Sequence, residues 1–289
     1  MSRHLSATGI WSAWSLEPVV FTALLVAALF YARGLGRLWA ASYRGAAVRP
    51  WEAASFAAGW IVVAIALMSP LHAMGGMLFS AHMIQHELLI SIAAPLLVLG
   101  RPLIPFVWSL SPRWRRTLGR WTTAESARSS WRFLASAPAA FSLHAVALWA
   151  WHLPGPYQAT LTSELMHSFQ HASFIGTALL FWWAVLSARG GGLGRGAAVM
   201  YLFLTVLQTG ALGALLAFSR TLWYPAYAAT TTMWGLTPLE DQQLGGLIMW
   251  IPGSLAYLAA GLVIFAGWLR ESEKRSRWGN HATLISGQT

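Results

Sequence analysis

The sequence predicts an all-α membrane protein, a bundle of seven transmembrane helices with the N-terminus outside and the C-terminus in the cytoplasm. Three observations carry that expectation. Apolar residues make up 56% of the 289-residue chain and charged residues only 10%, far from the balance of a soluble domain. The apolar residues gather into seven stretches, each long enough at about 1.5 Å per residue to span roughly 30 Å of hydrocarbon with some tilt. Lysine and arginine, finally, crowd into alternate connections between those stretches.

The first stretch, residues 18–39, follows a short outer segment, 1–17, with no small-residue cleavage pattern, so no removed signal peptide is expected. It ends among Arg33 and Arg37, and Arg44 and Arg49 fill the connection to the second stretch, 51–69. His72 lies in the outer loop beyond, and the third stretch, 77–99, then runs inward with His82 and His86 in its outer half. After it comes a long connection carrying Arg101, Arg113, Arg115, Arg116, Arg120, Arg128 and Arg132, the profile of a solvated cytoplasmic loop touching lipid phosphates. The fourth stretch, 133–151, returns with His144 and His152 near its outer end, and the fifth, 164–187, opens with His167 and His171 in its first turns. Arg189 and Arg195 precede the sixth, 197–218; the seventh, 244–269, runs into a cytoplasmic tail, 270–289, with Arg270, Lys274, Arg275 and Arg277. Of the 19 Lys and Arg residues only Arg3 and Arg220 fall on the opposite side, which sets the orientation. Orientation also accounts for the net charge of +10, so no nucleic-acid partner is expected beyond the lipid bilayer itself.

With the orientation set, His72, His82, His86, His144, His152, His167 and His171 all belong in or just above the outer half of the membrane. His4, on the outer terminus, and His281, in the tail, receive no role. Ionisable side chains at membrane depth cost roughly 2.5–3.5 kcal/mol each for charged types on insertion scales, so they are rarely left facing lipid. His82 and His86 are four apart and share one helical face, as do His167 and His171. The two pairs sit in the same pattern, H-x-x-Q-H: HMIQH at 82–86 and HSFQH at 167–171, each preceded by a histidine at the end of the previous span. Such pairing of repeated segments tends to place a ligand site where the repeats meet.

The chain has no cysteine, which excludes disulfides, thiolate ligands and a cysteine nucleophile. A metal would then be held by imidazole, carboxylate, thioether or backbone, with His72, His82, His86, His144, His152, His167 and His171 as candidates and Asp241 beside them. Thioethers select Cu(I), which brings in Met83, Met166, Met74 and Met77, although methionine is mostly filler in membrane helices. Gln85, Gln170 and Glu87 are placed to orient the imidazole rings by hydrogen bonds. Asp241 stands just before the seventh stretch, where a first-turn acid also favours the helix dipole. In the outer loop 219–243, Trp223, Tyr224, Tyr227 and Trp234 are expected to anchor at the membrane interface. One isolated histidine would suit interhelical hydrogen bonding; two i,i+4 pairs with further histidines at the same depth favour a metal or haem.

The segments HMIQHELLISIAAPLLVLGRP, WHLPGPYQATL, HSFQHASFIGTALLFWW and DQQLGGLIMWIPG resemble, in order and topology over about residues 15–270, the CtaG family of membrane assembly factors for cytochrome c oxidase. The resemblance implies a seven-helix protein of the bacterial cytoplasmic (inner) membrane that serves assembly of a haem–copper oxidase, with insertion of copper as the usual suggestion for its role. The family positions it implies here are His82, Gln85, His86, His152, His167, His171, Asp241 and Gln242; His72 and His144 match it less closely and rank lower as ligands. Together with the residue chemistry it leads to the expectation of a non-enzyme that takes Cu(I) from an extracytoplasmic copper donor and passes it to the catalytic subunit of the oxidase. A bis-histidine haem protein, an intramembrane zinc hydrolase using Glu87 or Asp241 as base, and a metal-free subunit chaperone remain as alternatives, and self-association is left open.

Overall fold

The computed structural model describes residues 13–15, 17–41, 47–187 and 193–286, with side chains as far as residue 273. Arg3, His4, Arg44 and Arg189, and with them most of the outer segment 1–17, lie outside the described residues, as does the side chain of His281. All regular structure among the described residues is helical. In chain order the helices are α1 (Pro18–Ala41), α2 (Pro50–Met68), α3 (Pro70–Gly75), α4 (Phe79–Glu87), a π-helical turn (Leu88–Ala93), α5 (Ala94–Leu99), α6 (Leu103–Ser109), α7 (Pro112–Thr123), α8 (Glu125–Leu134), α9 (Ala137–His152), α10 (Pro154–Thr162), α11 (Glu164–Leu186), α12 (Arg195–Ala217) and α13 (Pro238–Ser286), with two 3₁₀ turns, Pro225–Ala229 and Thr231–Trp234, before the last. Proline opens α1, α2, α3, α7, α10 and α13, where its missing N–H has no intrahelical partner to lose and its fixed φ suits the first turn.

Six helical segments are long and apolar enough to cross a membrane: α1, α2, the run from α4 through α5, α11, α12 and α13. The fourth expected span is different. The apolar stretch at 133–151 is cut at Ser136, the extended N-cap (ψ 145°) of α9, whose first turn holds Pro138, so Phe133 and Leu134 end α8 and only the 16 residues of α9 run on. α8 and α9 meet at a bend of 60°, and the pair counts as a seventh span only when taken together. The connection at 101–132 is likewise structured, with α6 packed on α1 and α7 and α8 burying none of their residues. The last helix continues well past residue 270, so most of the expected tail 270–289 is helical.

At the end of the bundle where α5 finishes, cations tie the elements together. Arg101 reaches the Ala47 carbonyl (3.0 Å) and the Glu52 carboxylate (3.6 Å), and Arg37 donates to the Ser109 carbonyl (2.8 Å). The core lies between the run α4–α5 and helices α9, α11, α12 and α13, around Phe79, Met83, Ile90, Phe174, Phe181, Trp182, Tyr201 and Tyr257. α12 and α13 approach most closely where a Cβ on Gly213 would lie 2.8 Å from the Gly246 carbonyl oxygen, the small-residue contact that lets helix backbones meet when lipid supplies no hydrophobic drive.

Candidate metal centre

Helix α4 carries the first H-x-x-Q-H motif, and its position is set from the other end of the chain. Leu78, its N-cap, is extended and offers no side-chain oxygen. The Asp241 carboxylate of α13 does the capping instead: Oδ2 accepts from the Phe79 N–H (2.6 Å), and Oδ1 accepts from the Ser80 N–H (3.1 Å) and hydroxyl (2.5 Å). A fully buried carboxylate at a helix N-terminus satisfies orphan N–H groups and meets the positive end of the dipole together. Gly245, one turn on, lets α13 lie against α4; a Cβ there would run into the Phe79 ring and close on Met83. Below the motif the helix widens into the π turn. The Ile90 carbonyl accepts from the Trp182 indole N–H (2.9 Å), and Pro95 follows, so the loosened backbone is fastened to α11.

On this frame the rings of His72, His167, His171, His82, His86 and His152 form one continuous cluster. His72 stacks on His167 (centroids 5.4 Å), His167 lies 4.4 Å from His171 and 5.2 Å from His82, His82 is 4.4 Å from His86, and His86 is 6.0 Å from His152. The faces of α4 and α11 therefore meet at their shared motif. His82, His167 and His171 form the tightest group, each offering one ring nitrogen within 4.8 Å of the others. Exposure falls along the cluster: His72 and His167 are half-buried, His171 is 7% exposed and His86 2%.

The glutamine of each motif orients a histidine, though not one inside its own motif. Gln85 Nε2 donates to the Ala66 carbonyl (2.6 Å) and lies 3.3 Å from His72 Nδ1. Gln170 Oε1 lies 3.2 Å from His82 Nε2, across the helix interface. Above the rings the loop between α12 and α13 closes down: Tyr224 donates its hydroxyl to the His152 carbonyl (2.7 Å), Tyr227 donates to the Gly75 carbonyl (3.0 Å), and the hydroxyls of Tyr157 and Tyr227 are 2.8 Å apart. Burial in this roof pushes the Tyr224 and Tyr227 hydroxyls well above the usual phenol range, so both are neutral donors. They are 1% and 2% exposed, which corrects the expectation that they anchor at the interface; Phe79 stacks on Tyr224 (4.6 Å) beneath them. His72, on α3, is held neutral by burial, which lowers its pKa against the opposing pull of Glu164 and Glu17.

Other expected site residues are placed elsewhere. His144 sits apart, with Nδ1 3.1 Å from the Thr177 hydroxyl and its ring against Phe181. Asp241 has its oxygens engaged by α4 and is not in the group of potential ligands around His82. Gln242 faces no histidine: Oε1 accepts from the Trp223 N–H (2.6 Å) and Nε2 donates to the Thr221 carbonyl (3.1 Å), fastening the loop between α12 and α13. Glu87 accepts from the Ser91 hydroxyl (2.7 Å) and points to a small cavity of about 10 Å³ lined by Leu148, Met249, Gly253 and Tyr257. Met166 is 43% exposed, and Met74 and Met77 are half-buried, whereas Met83 is fully buried with its sulfur 3.4 Å from His152 Nε2. The roof tyrosines and Tyr157, in the PGPYQ segment, escaped the sequence reading as neighbours of the histidines; Tyr157 lies 5.3 Å from His82.

The donor chemistry fits a metal. Both ring nitrogens of His86 and the Nε2 atoms of His167 and His171 are buried without a hydrogen-bond partner. Each such group costs about 1–3 kcal/mol when left unsatisfied, a cost that coordination removes. Three neutral imidazoles are an ordinary set for Cu or Zn, and closing the 4.8 Å group onto an ion needs only side-chain adjustment of about an ångström, given metal–nitrogen bonds of about 2.0–2.1 Å.

Comparison with known proteins gives the following. A sequence model of the family described as cytochrome c oxidase caa3 assembly factor (Caa3_CtaG) matches residues 29–271. Two uncharacterized proteins, one from Mycobacterium bovis and one from Mycobacterium tuberculosis, are each 25% identical over 287 residues, covering 94% of this chain. The chain spans only 42% of the length of those relatives. No solved structure matches it significantly.

Proposed function

The chain belongs to the cytochrome c oxidase caa3 assembly factor family, and on that premise we propose that it is a copper carrier for the oxidase. Cu(I) is the cargo. It arrives from an extracytoplasmic donor, is held by His82, His167 and His171 beneath the outer face of the bacterial cytoplasmic membrane, and leaves for the copper site of the oxidase's catalytic subunit. The observation that carries this reading is the convergence of three imidazole nitrogens within 4.8 Å from two facing helices.

Each neighbouring residue has a part in that task. Neutral imidazoles bind Cu(I) without a net negative charge and release it by exchange with incoming ligands, which suits a carrier better than a closed site. Gln170 orients His82, and Gln85 does the same for His72 at the half-buried end of the cluster. The tyrosine roof covers the deeper rings, while His72 and His167 stay half-buried at the entry. The clustering of Arg37 and Arg101 at the opposite end of the bundle supports an orientation with the histidines outside and the C-terminus in the cytoplasm. Membership of an assembly-factor family points to a non-catalytic role, and no covalent chemistry is needed of the chain.

The test is complementation. In cells lacking this chain, a His82→Ala, His171→Ala double variant is expected to reach wild-type levels in the membrane while the oxidase it serves lacks copper and activity. Oxidase with full copper content in those cells would leave a metal-free subunit chaperone as the reading.

A further inference from the structure

Beyond the three-histidine group, and resting on the copper reading, the geometry points to a second and softer metal site one step deeper, formed by His152 Nε2, Met83 Sδ and the His86 imidazole. We propose that it takes Cu(I) from the first group, so that the cluster is a two-station relay instead of a single site.

The inference starts from a proton. His152 Nδ1 is 2.6 Å from the carbonyl of Leu148, and a carbonyl oxygen can only accept. Nδ1 therefore carries the hydrogen, and Nε2 of the neutral ring is left with a lone pair. That lone pair faces the Met83 thioether across 3.4 Å, and a thioether has no hydrogen to give. Protonating Nε2 as well would bury a charged ring with no carboxylate among its described partners. Two donors of electron pairs thus face each other where His152 is 1% and Met83 0% exposed. A cation between them turns that contact from repulsive to attractive.

His86 supplies the connection. It is 2% exposed, neither of its ring nitrogens has a partner, and its ring stands 4.4 Å from His82 on one side and 6.0 Å from His152 on the other. It can join the second site without leaving reach of the first. The thioether sets the selectivity: a sulfur–imidazole set favours Cu(I), whereas zinc is served as well by the three histidines. Transfer is a ligand exchange in which copper stays Cu(I). A bond to His86 forms, bonds to His167 and His171 break, and bonds to His152 and Met83 form as the bond to His82 breaks, with no electron or proton exchanged. The fall in exposure from His72 and His167 to His86 and His152 gives the direction inward.

The experiment uses the full chain in detergent, loaded with Cu(I) under anaerobic reducing conditions. Bound copper is counted and the copper K-edge absorption spectrum recorded for wild type and Met83→Leu, a substitution that keeps side-chain volume and apolarity. The expected result is two copper ions and a sulfur neighbour in wild type, against one copper ion and nitrogen neighbours alone in Met83→Leu, with both proteins melting at the same temperature. One copper ion without sulfur in both proteins would overturn the relay and leave the three-histidine carrier standing. A sulfur neighbour that persists in Met83→Leu would overturn this assignment of the second site, and no copper in wild type would remove both readings.

Discussion

Gln170 shows what single side chains do here, because its partner lies on another helix. Replacing it with Ala leaves His82 unpaired across the α4–α11 interface, and the expected result is a 10- to 100-fold weaker hold on Cu(I), read by competition with a chelator. His72 predicts a pH effect. Burial lowers its pKa in the folded protein, so below the ordinary value near 6.5 the unfolded chain takes up a proton that the native state refuses. Stability at this residue is fully present above about pH 6.5 and is lost as the pH falls towards the folded-state value; in His72→Gln the slope of melting temperature against pH below 6.5 is expected to flatten. At this scale the sequence was read well for the histidine pairs, because i,i+4 spacing alone puts two rings on one face. It could not separate Met83 from Met166, since each stands beside a histidine and only the packing partner decides which faces inward. Asp241 was legible as a first-turn acid, but the helix it caps is 161 residues away in sequence, and no local pattern encodes that.

Among the elements, α4 and its continuation through the π turn into α5 matter most. Their placement depends on α13, through Asp241 as cap and Gly245 as the point of close approach. Asp241→Ala leaves the buried donors of Phe79 and Ser80 unsatisfied, and a loss of about 1–3 kcal/mol is expected, measured as a lower melting temperature in detergent. Gly245→Val drives a side chain into Phe79 and against Met83, so it is expected to weaken copper binding by shifting α4 and the Met83 side chain. A Gly245→Val protein with unchanged copper affinity would contradict the role given to this contact. Six of the spans were legible from apolar length alone. The bend in the fourth was not, because Ser136 and Pro138 interrupt an apolar run whose composition does not change across the break. The helicity of α7 and α8 was hidden by their arginines, which made the segment read as an irregular loop.

Across the whole molecule the two ends divide the work. One end holds the histidine rings under a tyrosine roof, and the other holds the cations that tie α1, α2, α5 and α6. Family membership joins this architecture to oxidase assembly, and the proposed copper carrier rests on the three-histidine group. The measurement that bears most directly on the carrier is copper content after anaerobic Cu(I) loading, in wild type against a His167→Ala, His171→Ala double variant of equal melting temperature. The account predicts that wild type retains copper through a desalting column and the variant loses the ion held by the three-histidine group. Equal copper in the two proteins, or none in wild type, would contradict it.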